Sequence, residues 1–211
     1  MKIVHDDALF PRIGLGVLAH LARHPGVPAQ GRVVLVSSTR SGEGKSFVAQ
    51  GLAHVLAEQQ HGDVVWVDAA FDTPPKETDV FARGASGFSE IMMLGSLQGL
   101  APAGAGPDRL WRLGRGVLAQ PSLLQRPEAV RKGLRALRAG FALAVLDSPS
   151  LGACGALLSE VDAVVLVVDS RHTSREAAQQ ALADAAIGPD RIAGLVLNHR
   201  PRAIPRWLGG D

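Results

Sequence analysis

The sequence of 211 residues contains no tyrosine and a single cysteine, Cys154. One cysteine excludes an internal disulfide framework and a cysteine-rich metal site. Long apolar runs are missing as well. The longest, such as residues 163–168, are about six residues, where a membrane span needs about 20, so no segment is expected to cross a bilayer. Asp6 and Asp7 fall where a secretion signal needs apolar residues, and a cytoplasmic protein is expected. The net charge is only +2, without a concentrated basic face, and no nucleic-acid partner is expected. Aromatics are scarce at 4 %, yet hydrophobic residues reach 46 % and charged ones only 20 %, which excludes a largely disordered chain and suffices for one domain with a sizeable core.

What is present is an alternation of apolar runs and helical periodicities. Residues 32–36, 64–67, 141–146, 163–168 and 192–197 read as strands, and residues 46–60, 127–139 and 174–186 as helices. Val48, Leu52, Val55 and Leu56 make one apolar helical face; Val130, Leu134 and Leu137 make another. Continuously apolar strands between helices predict an α/β fold, a mostly parallel sheet with helices on both faces in a single domain. Residues 1–30 form an N-terminal segment with a helix over 8–23, residues 31–200 the α/β domain, and residues 201–211, with two prolines and two glycines, an irregular tail. The Gly- and Pro-rich stretch 95–107 reads as a mobile loop. Four strands run into a polar residue, Asp68, Asp147, Asp169 or Asn198, and open α/β sheets bind ligands along that edge.

The strongest signal is Thr39-Arg40-Ser41-Gly42-Glu43-Gly44-Lys45-Ser46, between a predicted strand and a predicted helix. Gly42 and Gly44 let backbone N–H groups curl around phosphate oxygens, and the following helix points its positive end at the same anion. This pattern predicts a P-loop NTPase fold in which Ser41, Gly42, Glu43, Gly44, Lys45, Ser46 and Phe47 bind a nucleoside triphosphate, with Lys45 on the β- and γ-phosphates. Thr39 stands where the motif's first glycine is usual. Ser46, Asp68 and Asp147 are the candidate Mg²⁺ ligands; a strand-end aspartate can equally accept a proton from a nucleophile, so Lys45, Asp68 and Asp147 are also the candidate catalytic residues.

The loop resembles that of the bacterial tyrosine kinases, relatives of the MinD/ParA ATPases, with Ser41 in place of a usual proline. The resemblance spans about residues 31–200 and takes in Trp66-Val67-Asp68-Ala69-Ala70-Phe71-Asp72-Thr73-Pro74, Gly87-Phe88-Ser89-Glu90-Ile91, Ala144-Val145-Leu146-Asp147-Ser148-Pro149 and Ile192-Ala193-Gly194-Leu195-Val196-Leu197-Asn198. It implies ATP and Mg²⁺ as cofactors, an adenine contact from Asn198, a role in exopolysaccharide or capsule export, and a membrane-embedded polysaccharide co-polymerase or chain-length regulator as partner; a homo-oligomer stays open, since the family's N-terminal Glu-x-x-Arg-x-x-Arg oligomerisation motif is not visible in the sequence. Two departures stand out. Ala70 replaces the second aspartate of the family's Asp-x-Asp motif and Asp72 its arginine, and the C-terminal tyrosine cluster that serves as the autokinases' own substrate has no counterpart. The resemblance therefore implies an ATP-binding protein with weak or absent tyrosine autokinase activity. The alternatives are an ATP-dependent dimerising ATPase of the MinD/ParA type and a non-catalytic nucleotide-binding module.

Other residues carry plainer readings. Arg40 is expected in solvent, Arg131, Arg135 and Arg138 on a solvated helical stripe, and His20 and His24 on the surface. Met92, Met93 and Cys154 are expected in the core and Trp207 against the domain.

Overall fold

The computed structural model describes residues 9–26, 30–59, 62–73, 87–95, 97, 101–102 and 109–199; the tail and Trp207 lie outside them. In chain order the elements are α1 (Leu9–Arg23), β1 (Arg32–Ser38), α2 (Lys45–Gln59), β2 (Val64–Asp68), α3 (Phe88–Leu94), β3 (Ala101–Pro102), β4 (Leu110–Leu113), α4 (Pro121–Leu124), α5 (Pro127–Gly140), β5 (Leu143–Asp147), α6 (Leu157–Glu160), β6 (Ala163–Asp169), α7 (Arg175–Asp184) and β7 (Ile192–Asn198). The strands form one sheet in the order β3-β4-β2-β5-β1-β6-β7. Six are parallel; β3 pairs antiparallel with β4 at one edge.

Successive strand residues point to opposite faces, so the buried strands feed two cores. Val34, Val36, Val145, Val165 and Val167 pack with Val48, Leu52 and Leu56 of α2 and Val17 and Leu21 of α1. Val33, Leu35, Leu146, Leu166 and Val168 pack with Phe88 and Ile91 of α3 and Val130, Leu134 and Leu137 of α5. Helices on both faces are the reason these strands read as unbroken apolar runs. Helix α1 lies close on α2: a Cβ on Gly51 would come 2.4 Å from the Phe10 ring. Helix α7 is held differently. None of its residues is fully buried, and Ser174 caps it by accepting from the Ala177 N–H at 3.1 Å.

Several expectations are corrected. Phe141 does not open a strand; its N–H donates to Leu137 O at 3.0 Å and closes α5. The stretch read as a mobile loop contains β3. The arginine stripe is broken: Arg138 turns inward to Asp162 at 2.6 Å, and Arg131 pairs with Glu128 and Glu160. His20 is buried and stacked on His24, with ring centroids 4.6 Å apart. Met92 is buried, but Met93 is 44 % exposed. Cys154 is buried as expected, and burial pushes its thiol pKa up.

Candidate functional site

Strand β1 ends at Ser38 and α2 begins at Lys45, so the glycine-containing loop bridges a strand end and a helix N-terminus. Gly42 and Gly44 have φ of +87° and +94°, values that L side chains rarely adopt. A Cβ on Gly42 would meet nothing within 4 Å, so the loop is open there. The first turn of α2 has N–H groups without intrahelical partners and carries the helix's positive end, the physical basis of anion binding. Lys45 is buried in that turn, Ser46 is half-buried, and Arg40 and Ser41 are exposed.

Glu43 fixes the loop from within. One carboxylate oxygen accepts from Thr39 Oγ1 at 2.7 Å and Arg40 N at 3.0 Å; the other accepts from Asp169 N at 3.0 Å and from Thr173 Oγ1. Burial works to raise its pKa, but the hydrogen bonds from Thr173, Arg40, Asp169 and Thr39 together outweigh burial and hold the carboxyl below its ordinary value of 4.5. Thr39, the departure at the first position of the loop, thus has a structural use. Asn198 completes the lock, its Nδ2 donating to the Glu43 carbonyl at 2.9 Å.

Asp147 pairs in register with Val36 of β1 and with Asp68 of β2. By strand alternation both aspartates share the sheet face that α2 covers, and both are buried. The Asp68 carboxylate is engaged inside the protein. Arg115 forks onto it, Nε to Oδ2 at 2.9 Å and Nη2 to Oδ2 and Oδ1 at 2.8 and 3.2 Å, and the Ala70 N–H donates to Oδ1 at 3.1 Å.

At the next strand end, Asp169 accepts from Arg171 through Nε and Nη2 at 3.1 and 2.8 Å and lies 3.2 and 3.0 Å from the His172 and His199 Nδ1 atoms. The Arg171 hydrogen bonds, chief among the causes, hold its carboxyl far below the usual carboxylate range.

The structure thus brings Lys45, Ser46, Asp147, Asp68 and Asn198 to one sheet edge. Glu43 meets it through its backbone, since its side chain turns into the protein. The Phe47 ring packs edge-on against Phe10, with centroids 5.5 Å apart. Among the described residues no group of three or more His, Cys, Asp or Glu side chains is placed to share a metal. Ser46 and Asp147 are nonetheless hard oxygen donors of the kind Mg²⁺ takes when phosphates and water supply its other ligands. Sequence reasoning missed Arg115 and the side-chain role of Glu43. Glu43 was visible inside the loop, but nothing in the spacing of Arg115, 47 residues from Asp68, pointed to it.

These features define a P-loop α/β fold, and similarity to known proteins narrows it. No family model matches the chain. A tyrosine-protein kinase of Bacillus subtilis, YwqD, is 27 % identical over 176 residues, 82 % of this chain and 74 % of that protein. Among solved structures, the VpsO kinase domain superposes with a TM-score of 0.68 at 24 % identity, covering 94 % of this chain and 100 % of that one. The kinase domain of the Escherichia coli tyrosine kinase ETK gives 0.66 at 18 %, covering 89 % and 75 %. An ATP complex of a Cyanothece McdA variant gives 0.61 at 15 %, covering 79 % and 70 %. The resemblance to bacterial tyrosine kinases, with ParA-type ATPases beside them, holds in sequence for the first and in fold for all.

Proposed function

We propose that the protein binds ATP at the loop 39–47 and acts, as a relative of the bacterial tyrosine kinases, in exopolysaccharide or capsule production or export. The observation that carries this reading is the open loop itself: two positive-φ glycines and a buried lysine at the N-terminus of α2, backed by Asp147 one strand away. Lys45 and the amides of residues 41–47 hold the phosphates, and Ser46 with Asp147 holds Mg²⁺, which when bound offsets charge on the β- and γ-oxygens. Asn198 has its Nδ2 committed to Glu43 and keeps its amide oxygen for the exocyclic amine of adenine. The protein works in the cytoplasm against a membrane-embedded chain-length regulator.

Without tyrosine, with Ala70 in the second motif and with Asp68 engaged by Arg115, tyrosine autophosphorylation is not the output. The nucleotide serves instead as a conformational signal. Glu43 supports this, since it ties the phosphate loop to β6 and to Thr173 just before α7. ATP at about 100 times its Kd should add about 2.7 kcal/mol of stability, or about 5–10 °C in Tm for a domain of this size. No shift at any ATP concentration contradicts the reading. Exposed Arg40 supports a second reading, ATP-dependent dimerisation of the ParA type. That reading requires a dimer by light scattering with ATP, lost in Arg40→Ala.

A further inference from the structure

We propose that Arg115 is a positioning residue that keeps Asp68 out of metal binding, so that the divalent-ion dependence of the site falls on Ser46 and Asp147. The inference deepens the phosphate-site reading and rests on it for the role of the metal.

A carboxylate offers about four lone-pair directions. On Asp68, Arg115 Nε and Nη2 take both directions of Oδ2, and Ala70 N and Arg115 Nη2 share Oδ1. The third guanidinium nitrogen, Nη1, donates to the Thr73 carbonyl, so every nitrogen of the fork is used. Both side chains are largely withdrawn from solvent, 12 % exposed for Arg115 and 9 % for Asp68. A buried bidentate pair of this kind is among the stronger protein ion pairs, and breaking it strands a buried charge. Mg²⁺ at Asp68 would have to break it.

The arginine is also held from behind. Its carbonyl accepts from Ser89 N at 2.9 Å, and the preceding Gly114 carbonyl accepts from Phe88 N at 2.8 Å. Glu90 accepts from Val117 N and Leu118 N at 3.0 and 2.9 Å and from Gly87 N at 2.7 Å, stitching this segment to the start of α3. Gly116, at φ +85°, leaves room for that carboxylate: a Cβ there would come 1.8 Å from Glu90 Oε2.

Charge explains the arrangement. Asp68 and Asp147 are register partners on adjacent strands, about 4.8 Å apart in backbone terms. Arg115 supplies Asp68 with a cation from within the protein, beside the second buried aspartate on the adjacent strand. Removing Arg115 leaves that role to a divalent ion.

The test uses metal alone, without nucleotide. Melting is followed while Mg²⁺ is titrated into the wild-type chain and Arg115→Gln. The wild type should shift by less than about 1 °C up to about 10 mM Mg²⁺. Arg115→Gln should melt about 10 °C lower and recover at least about half of that loss with Mg²⁺. Equal Mg²⁺ responses in the two chains overturn the proposal. Should Arg115→Gln fail to fold, Mn²⁺ titration of the wild type by electron paramagnetic resonance decides. Absence of binding below about 1 mM supports the proposal, and tighter binding that disappears in Asp68→Asn overturns it. Neither arm needs ATP to bind, so failure of the phosphate-site reading is seen separately as a wild type with no ATP shift.

Discussion

Asn198 Nδ2 stands where a Cβ on Gly44 would fall, 2.1 Å away, while donating to the Glu43 carbonyl at 2.9 Å. The last strand of the sheet thus closes on the phosphate loop from behind, and the two loop glycines are not equivalent. Gly42 is required for its backbone angle alone; Gly44 is required for its angle and for the amide packed against it.

Gly42→Ala should therefore cost about 1–2 kcal/mol, the strain of an L residue at positive φ. Gly44→Ala should cost about 1 kcal/mol more for the displaced hydrogen bond and should also abolish the ATP-induced melting shift. Thermal melts of both variants with and without ATP check this. Equal losses in the two variants would mean that Asn198 does not brace the loop.

Glu43 accepts from two backbone N–H groups, those of Arg40 and Asp169, that Glu43→Ala leaves without their acceptor. At about 1–3 kcal/mol for each stranded donor, the variant should lose about 2–6 kcal/mol by denaturant unfolding. The pH dependence carries the sign. Its folded-state pKa is depressed below 4.5, so the carboxylate's contribution is fully present above pH 4.5 and is lost as pH falls through the lower folded value. Glu43→Gln should lack that acid-side fall. A gap between wild type and Glu43→Gln that stays constant down to about pH 2.5 would contradict the assignment.

His20 has its pKa lowered, first by burial and then by the charges of His24, Arg23 and Arg32. Protonation is easier in the unfolded chain, so stability should decline as pH falls below 6.5. His20→Asn should flatten the stability profile between about pH 6.5 and 5. A profile unchanged by the substitution would mean that His20 is protonated in the folded protein.

Asp162 gathers Val33 N at 2.7 Å, Arg32 at 3.0 Å and Arg138 at 2.6 Å at the end of the sheet opposite the loop. Asp162→Ala should destabilise by about 3 kcal/mol, since it strands two partly buried guanidinium groups. ATP affinity of the folded fraction should remain within about threefold of the wild type. A large loss of ATP affinity without a loss of stability would contradict this purely structural role.

The central sheet was legible because its strands are buried on both faces, and unbroken valine and leucine runs such as Val33–Val36 have few other uses. The same rule hid β3 and β4. Ala101-Pro102 is a two-residue edge pairing, and in Leu110–Leu113 the buried leucines at the two ends are separated by half-buried Trp111 and exposed Arg112, which breaks the apolar run. Helix α3 lacked a periodic apolar face long enough to read, and Glu90, the residue that fixes its start, spends its carboxylate on contacts 27 and 28 residues away. At the site, the loop and the strand-end aspartates are local features and were visible. Arg138 and Arg115 were not, because what a long basic side chain pairs with depends on tertiary neighbours. The first looked like part of a solvated stripe, and the second was unmarked between two glycines.

Lys45 and the loop around it are expected to hold a triphosphate. Equilibrium titration of Mg·ATP into the wild-type chain and into Lys45→Ala tests this most directly. Saturable binding by the wild type and an affinity at least about 100-fold weaker in the variant, close to 2.7 kcal/mol, is the predicted result. Equal affinity in the two chains would contradict it.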